Sequence, residues 1–190
     1  MEVEGTRDWN LALHFNLAEG FPYDEQQFRA GVAHAIDREE MVSRRLFGAG
    51  VVGSAGGLSP DHPMFNEDLP AYEYDTTRAN ELLDEVGLVD ADGDGLRDLP
   101  DGSAFQPTIL ASARFPAQGP QLVSEYLRAV GIDAQLEVLD RAAADEAAAQ
   151  GNYTMALVGY GGVLNDPDLL RDRFASTSDS DSFSRAQGYA

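Results

Sequence analysis

The chain has 190 residues, enough for one domain with a real hydrophobic core, and carries 33 acidic residues against 13 basic ones, a net charge of −20. That charge argues against nucleic acid or an anionic membrane as a partner. The absence of cysteine excludes disulfides and thiolate chemistry, and no apolar run reaches the roughly 18 residues that a membrane span needs. All 13 basic residues are arginine, which fits either a halophile surface that relies on salt screening or a GC-rich genome that replaces lysine; the size of the charge favours the halophile.

In chain order, LALHFNL (Leu11 to Leu17) predicts a strand. The stretch from Phe28 to Gly48 predicts two helices in tandem. Asp24 caps the first, with Gln27 at the third helical position, and Phe28, Val32, Ala35 and Ile36 share one apolar face. Asp37 caps the second, with Glu40 at its third position. Met41, Val42, Leu46 and Phe47 form its apolar face, and Gly48 offers a left-handed stop. The loop from Ala49 to Pro70 is longer than most connections, which marks a surface excursion or a functional segment. A helix from Thr76 to Val86 follows, with Asp75 as cap and Gly87 as stop, burying Ala79, Leu82, Leu83 and Val86.

Asp90 to Gly102 is an acidic, glycine-rich turn. Beyond it the pattern predicts a strand over Gln106 to Ser112, a helix over Pro120 to Val130 and a strand over Ile132 to Val138. The last of these alternates apolar and polar residues, as at a sheet edge or against one wet face. An alanine-rich helix (Ala142 to Ala149) and a strand (Tyr153 to Val158) come next. Asp166 and Pro167 then supply the cap and first residue of a last helix to Phe174, followed by a Ser- and Asp-rich tail. Strands alternating with helices imply an α/β domain with crossover connections.

The sharpest local motif is DADGDGLRDLPD, Asp90 to Asp101. It follows the calcium-loop pattern at every position but one. Asp90, Asp92, Asp94 and Asp98 stand at carboxylate positions, Gly95 makes the sharp turn and Leu96 offers its carbonyl. Asp101 stands where the pattern wants the longer Glu. Five carboxylates this close repel one another unless a cation or salt neutralises them. An acidic hairpin turn that simply faces water explains the same residues, since Asp-Gly-Asp-Gly is a natural connector and no helix follows.

A second constellation, Gly159 to Pro167, follows a strand and opens a helix, so it lies at the C-terminal end of a strand, where open α/β sheets bind ligands. Its glycines allow close backbone approach, and Tyr160 offers a stacking face and a hydroxyl. It has neither the order nor the lysine of a phosphate loop. Catalysis finds little support. His14, His34 and His62 lack metal spacing, and Gly53-Ser54-Ala55-Gly56 lacks the first glycine of a nucleophile elbow.

The tandem helices of 28–48, the helix block of 72–88, the helix–Gly–strand block of 122–140 and the strand–loop–helix block of 151–170, in this order, resemble the C-terminal lobe of the peptide/nickel/dipeptide-type (family 5) solute-binding proteins of ABC importers. The resemblance runs from Leu11 to Tyr189. It implies a single α/β lobe over 1–190, one half of a two-lobed type II periplasmic-binding-protein-like fold, with a mixed sheet flanked by helices. It implies no enzyme and no required cofactor, calcium being a possible one. The implied partners are a small solute (an oligopeptide or another), the ABC permease subunits and the missing N-terminal lobe. It places the parent in the periplasm or at the extracellular face of the membrane, usually as a lipoprotein. The start, MEVEGTRDWN, has neither the basic start nor the apolar stretch of a signal peptide, so the chain reads as an excised piece.

The resemblance also implies a ligand face made of Asn16, Arg114, Phe115, Arg141, Tyr160, Gly161, Gly162 and Val163. Arg114 or Arg141 could hold a carboxylate bidentately, though a solvated or surface-paired arginine explains either. Val163 stands where peptide-binding relatives carry an Asp for the peptide amine, and an apolar side chain cannot compensate an ammonium. The rival readings are a calcium-stabilised extracellular interaction module, resting on Asp90 to Asp101, and a hydrolase fragment around Ser54.

Overall fold

The computed structural model of the chain describes residues 9–47, 50–55, 58, 60, 62–113 and 117–161. Its strands are β1 (Trp9–Phe15), β2 (Thr108–Ser112), β3 (Gln135–Leu139) and β4 (Met155–Gly161), and its helices are α1 (Gln26–Ala35), α2 (Arg38–Leu46), α3 (Thr76–Val86), α4 (Gln118–Ala129) and α5 (Arg141–Gln150). The sheet order is β1-β4-β2-β3. β4 is parallel to β2, β2 is parallel to β3, and β1 alone is antiparallel, against β4. The sheet is therefore mixed, and the strand expected at 153–158 is internal, as its apolar run requires.

Local chemistry sets most helix ends. The carboxylates of Asp37, Asp75 and Asp140 accept the backbone N–H groups of Glu40, Arg78 and Ala143 at 2.7, 3.0 and 3.1 Å, and so cap α2, α3 and α5. Gly87 and Gly151 close α3 and α5 in the left-handed conformation. Two expectations about ends are corrected. Asp24 does not cap α1: its N–H belongs to a turn closed on the Gly20 carbonyl, and Glu25 stands at the cap without a side-chain bond. Nor is Gly48 the residue that turns at the end of α2. Phe47 takes the left-handed cap, φ 51°, and its ring is 91 % exposed rather than part of the apolar face; Gly48 itself lies outside the described residues.

The main core fills the face of the sheet covered by α1, α3 and α4. Phe28 is fully buried, with its ring edge-on to Phe15, Tyr23 and Phe105 at 5.8, 5.6 and 5.8 Å. Truncation of such a ring costs about 3–5 kcal/mol. Gly31 lets α1 lie directly on α3, because a Cβ there would stand 3.1 Å from Leu83 Cγ and 3.3 Å from the Ala79 carbonyl. The opposite face is smaller: Leu110, Tyr153 and Ala156 pack with Ala147 and Ala148 of α5.

Strand boundaries shift for a common reason. Ile132 and Ala134 are buried but precede β3, and within the strand Leu136 and Val138 are 36 % and 50 % exposed. β3 is thus an edge strand whose sequence alternation belongs partly to the turn before it. At the other end of the chain β1 starts at Trp9 and stops at Phe15, and Leu17 opens a short 3-10 turn instead of continuing the strand.

One buried charge organises the far side of the domain. Arg97 donates from Nε to the Val130 carbonyl at 2.7 Å and from Nη2 to Asn80 Oδ1 at 2.7 Å. Its Nη1 reaches Asp84 Oδ1 at 2.6 Å and also the Leu88 carbonyl. Val130 and Leu88 are the residues at which α4 and α3 give out. A cation there satisfies orphan carbonyls at the negative ends of both helices. Sequence reading missed Arg97, because its partners come from two segments apart from its own, α3 with its C-terminal cap and the end of α4.

Candidate functional site

The registers decide which loops share an edge. Ile109 to Ala111 run level with Met155 to Leu157, and Thr108 to Ser112 level with Gln135 to Leu139, all in the same direction. The C-terminal ends of β2, β3 and β4 therefore open onto one edge, the rim, where open α/β sheets take their ligands. Gly159, Tyr160 and Gly161 continue β4 past the end of β2 and, among the described residues, pair with β1 alone, opposite Leu11, Asn10 and Trp9. This corrects the expected loop: its first three residues are strand, held by backbone pairing that glycine and tyrosine do not advertise in sequence.

The remaining expected residues separate into three groups. Arg141 stands on the rim at the first turn of α5, 68 % exposed, with Nε 3.5 Å from Asp145 Oδ2 one turn on. This is the surface pairing that was the plainer of its two readings. Arg114, Phe115, Gly162 and Val163 lie outside the described residues. Ala113, which leads into that stretch, donates its N–H to the Leu139 carbonyl at 2.8 Å and so ties the exits of β2 and β3 together.

Asn16 is on the wrong edge for a rim residue. Because β1 is antiparallel, its C-terminal end meets the start of β4, about 20 Å along the strands from Gly161. Asn16 is 2 % exposed. Its Nδ2 donates to the carbonyls of Gly151 and Tyr153 at 2.9 and 3.0 Å, and its Oδ1 accepts the Ala18 N–H at 3.2 Å. Its role in this geometry is a tie across the α5–β4 turn. The expectation assumed a first strand parallel to the others, a property that one sequence does not show.

The acidic turn also lies away from the rim, fixed by the Arg97 N–H to the Gly131 carbonyl at 2.7 Å, just before β3. Gly93 and Gly95 take positive φ, 83° and 89°, so the turn is as sharp as the spacing predicts. Among the described residues Asp90, Asp92 and Asp98 gather, each offering a carboxylate oxygen within 4.8 Å of the others. Asp94 and Asp101 are not in this group. Asp94 accepts the Leu96 N–H at 2.7 Å, and Asp101 accepts both the hydroxyl and the N–H of Ser103, bonds that hold its carboxyl below its usual range. The gathered carboxylates are already used by the backbone. Asp90 accepts from Gly93 and Gly95 at 2.7 and 2.9 Å, and Asp98 from Ala91 at 3.0 Å. Three carboxylates suit a loosely held divalent cation; the twelfth-position ligand of a full calcium loop is turned elsewhere.

Between α2 and α4 the Tyr126 hydroxyl donates to Glu40 Oε2 at 2.5 Å. Burial, and then the Glu40 carboxylate, raise the phenol well above its ordinary range. This bond fastens α4, the helix that leaves the rim after β2, to the tandem helices.

A mixed sheet with helices on both faces and three parallel strands that end at one edge defines an α/β lobe. Residues 2–182 match the family described as bacterial extracellular solute-binding proteins, family 5, and the chain belongs to that family. It is 30% identical over 122 residues, 62% of its length, to the oligopeptide-binding protein AppA of Bacillus subtilis. It is 26% identical over 179 residues, 94% of its length, to the probable di/tripeptide-binding protein 5 of Pseudomonas aeruginosa. It spans 22% and 32% of those two relatives. The solved structure of B. subtilis AppA in complex with a nonapeptide superposes with a TM-score of 0.84 at 23% identity, over 98% of this chain and 37% of that one. That likeness establishes the fold.

Proposed function

We propose that the chain is the ligand-binding lobe of an extracytoplasmic solute-binding protein that captures an oligopeptide or another small solute and delivers it to an ABC permease. The observation that carries the reading is the common edge at which β2, β3 and β4 end, on a chain of this family. A second lobe would close over that edge. Binding free energy would select the closed form through a hinge motion, with no reaction and no organic cofactor. The chain alone presents half of such a cleft, so the parent protein is the one to test. In this reading the parent acts outside the cytoplasm, at the cell surface or in the periplasm.

Val163 enters the proposal through chemistry. If it stands at the peptide-amine position, the solute is held without an ammonium–carboxylate pair, because an apolar side chain gives an ammonium no compensation. Isothermal titration of the parent against free oligopeptides, their N-acetylated forms and non-peptide solutes tests both statements. The expected result is binding that N-acetylation leaves unchanged. Binding that N-acetylation abolishes would show another carboxylate in the role of the missing Asp. No binding across the panel in the millimolar range would sink the peptide reading.

A further inference from the structure

Of the asparagines in the chain, Asn152 alone is followed two residues on by a hydroxyl residue: Asn152-Tyr153-Thr154, with no proline between. That tripeptide is the acceptor pattern for N-linked glycosylation. It carries weight where it falls in a surface turn of a protein that acts outside the cytoplasm. The proposed function sets the parent there, and the matching family is one of extracellular proteins.

The fold sets Asn152 in such a turn. α5 is closed by Gly151 in the left-handed conformation, and the Asn152 N–H bonds back to the Ala147 carbonyl at 2.9 Å. From inside, Asn16 pins the carbonyls of Gly151 and Tyr153, the residues on either side, and Tyr153 is buried. Both neighbours are held against the domain, while Asn152 stands exposed to solvent. Its Nδ2 donates to Gln150 Oε1 at 2.9 Å, also in solvent, a bond that water replaces at little cost. The turn precedes β4, and about 20 Å separates the two ends of that strand, so a sugar there clears the edge proposed for the solute.

Thr154 sets the order of events. In the folded chain its hydroxyl accepts the Thr108 N–H at 3.0 Å and donates to the Thr108 carbonyl at 2.8 Å. A transferase that reads this hydroxyl must act before β2 joins β4. Folding then engages the hydroxyl and leaves the modified amide in water.

We propose that Asn152 is an N-glycosylation site, which takes an oligosaccharide from a polyprenyl-phosphate-linked donor. The amide nitrogen bonds to the anomeric carbon of the donor sugar as the bond from that carbon to the phosphate oxygen breaks. The lipid phosphate leaves with the electron pair, and the amide gives up one proton. The inference rests on the reading of the parent as extracytoplasmic and goes beyond it, because it names a covalent group that the exported protein carries.

The test is a peptide map of the parent protein from its source organism, with cytoplasmic and extracytoplasmic fractions kept apart. Trypsin cuts after Arg141 and Arg171 and isolates residues 142–171, in which Asn152 heads the one acceptor tripeptide. The expected result is a sugar-mass increment on that peptide from the exported protein, placed on Asn152 by electron-transfer fragmentation and lost in Asn152→Gln. A bare peptide from exported parent would overturn the inference and leave the location reading standing. An increment that persists in Asn152→Gln would put the sugar elsewhere and also overturn it. Parent found in the cytoplasm alone would remove the location reading, and the inference would fall with it.

Discussion

The two ends of the sheet are built differently. At the base, side chains tie the backbone from several directions. Asn16 holds the turn into β4, Thr154 accepts the Thr108 N–H at 3.0 Å and donates to the Thr108 carbonyl at 2.8 Å, and Arg97 gathers the ends of α3 and α4. At the rim, the Asp140 cap and the Arg141–Asp145 pair act within α5, and the backbone bond from Ala113 to Leu139 joins the ends of β2 and β3. The base is held by side chains that reach across distant segments, while the proposed ligand edge is held, among the described residues, by shorter-range ties. If the proposed edge is the ligand site, stability and binding reside in different residues, and substitutions can separate them.

The largest expected effect is at the base. Arg97→Ala leaves the carbonyls of Val130 and Leu88 and the amide oxygen of Asn80 without a donor. It should cost about 3–5 kcal/mol, read as a fall in melting temperature on the order of 10 °C. A loss under about 1 kcal/mol would mean that water replaces the guanidinium easily, and the base would no longer differ from the rim. Asn16→Ala removes one donor from two carbonyls in the interior and should cost about 2 kcal/mol by urea unfolding. The same variant in the parent should leave solute affinity within about twofold, since Asn16 is at the far edge. A large affinity loss without a stability loss would put Asn16 back among the ligand residues.

Tyr160→Ala is the reciprocal variant. In the parent it should lower solute affinity by roughly 5- to 150-fold, the range for an aromatic at the centre of a binding site, while the melting temperature barely moves. Unchanged affinity for a solute the parent does bind would remove the rim from the site. The smallest effect is expected at the acidic turn. Excess calcium chloride should raise the melting temperature by about 1–2 °C over sodium chloride of equal ionic strength, and Asp90→Asn should abolish the rise. An identical melting curve in both salts would leave the turn as a solvated connector.

What the sequence disclosed follows from how local each signal is. Asp37, Asp75 and Gly87 act within one helical turn, and all three stand where local pattern placed them. Phe28, Leu83 and Leu127 are fully buried for the same reason, since helical spacing sets them on inward faces. The failures are non-local. Nothing near Asn16 reveals that β1 runs against its neighbours, yet that direction alone moves Asn16 from one edge to the other. Arg97 sits in an acidic stretch that invites a solvated reading, while its partners come from residues 80, 84, 88 and 130. Gly159 to Gly161 read as a loop by composition and become strand because β1 supplies the pairing. Within the rim, the ends of β2 and β3 were legible, while Arg114, Phe115, Gly162 and Val163 lie outside the described residues.

The antiparallel placement of β1 has a practical consequence for protein engineering. Trp9 and Gly161 are paired neighbours, so the outermost described residues of β1 and β4 stand side by side, about 5 Å apart. A unit with adjoining entry and exit can be grafted into a surface turn of an unrelated host without prying that turn open, and its own termini can be rejoined and reopened elsewhere. An insertion joined at Trp9 and Gly161 would set the open edge close to the graft junction, and would leave out residues 162–182, which the family match includes.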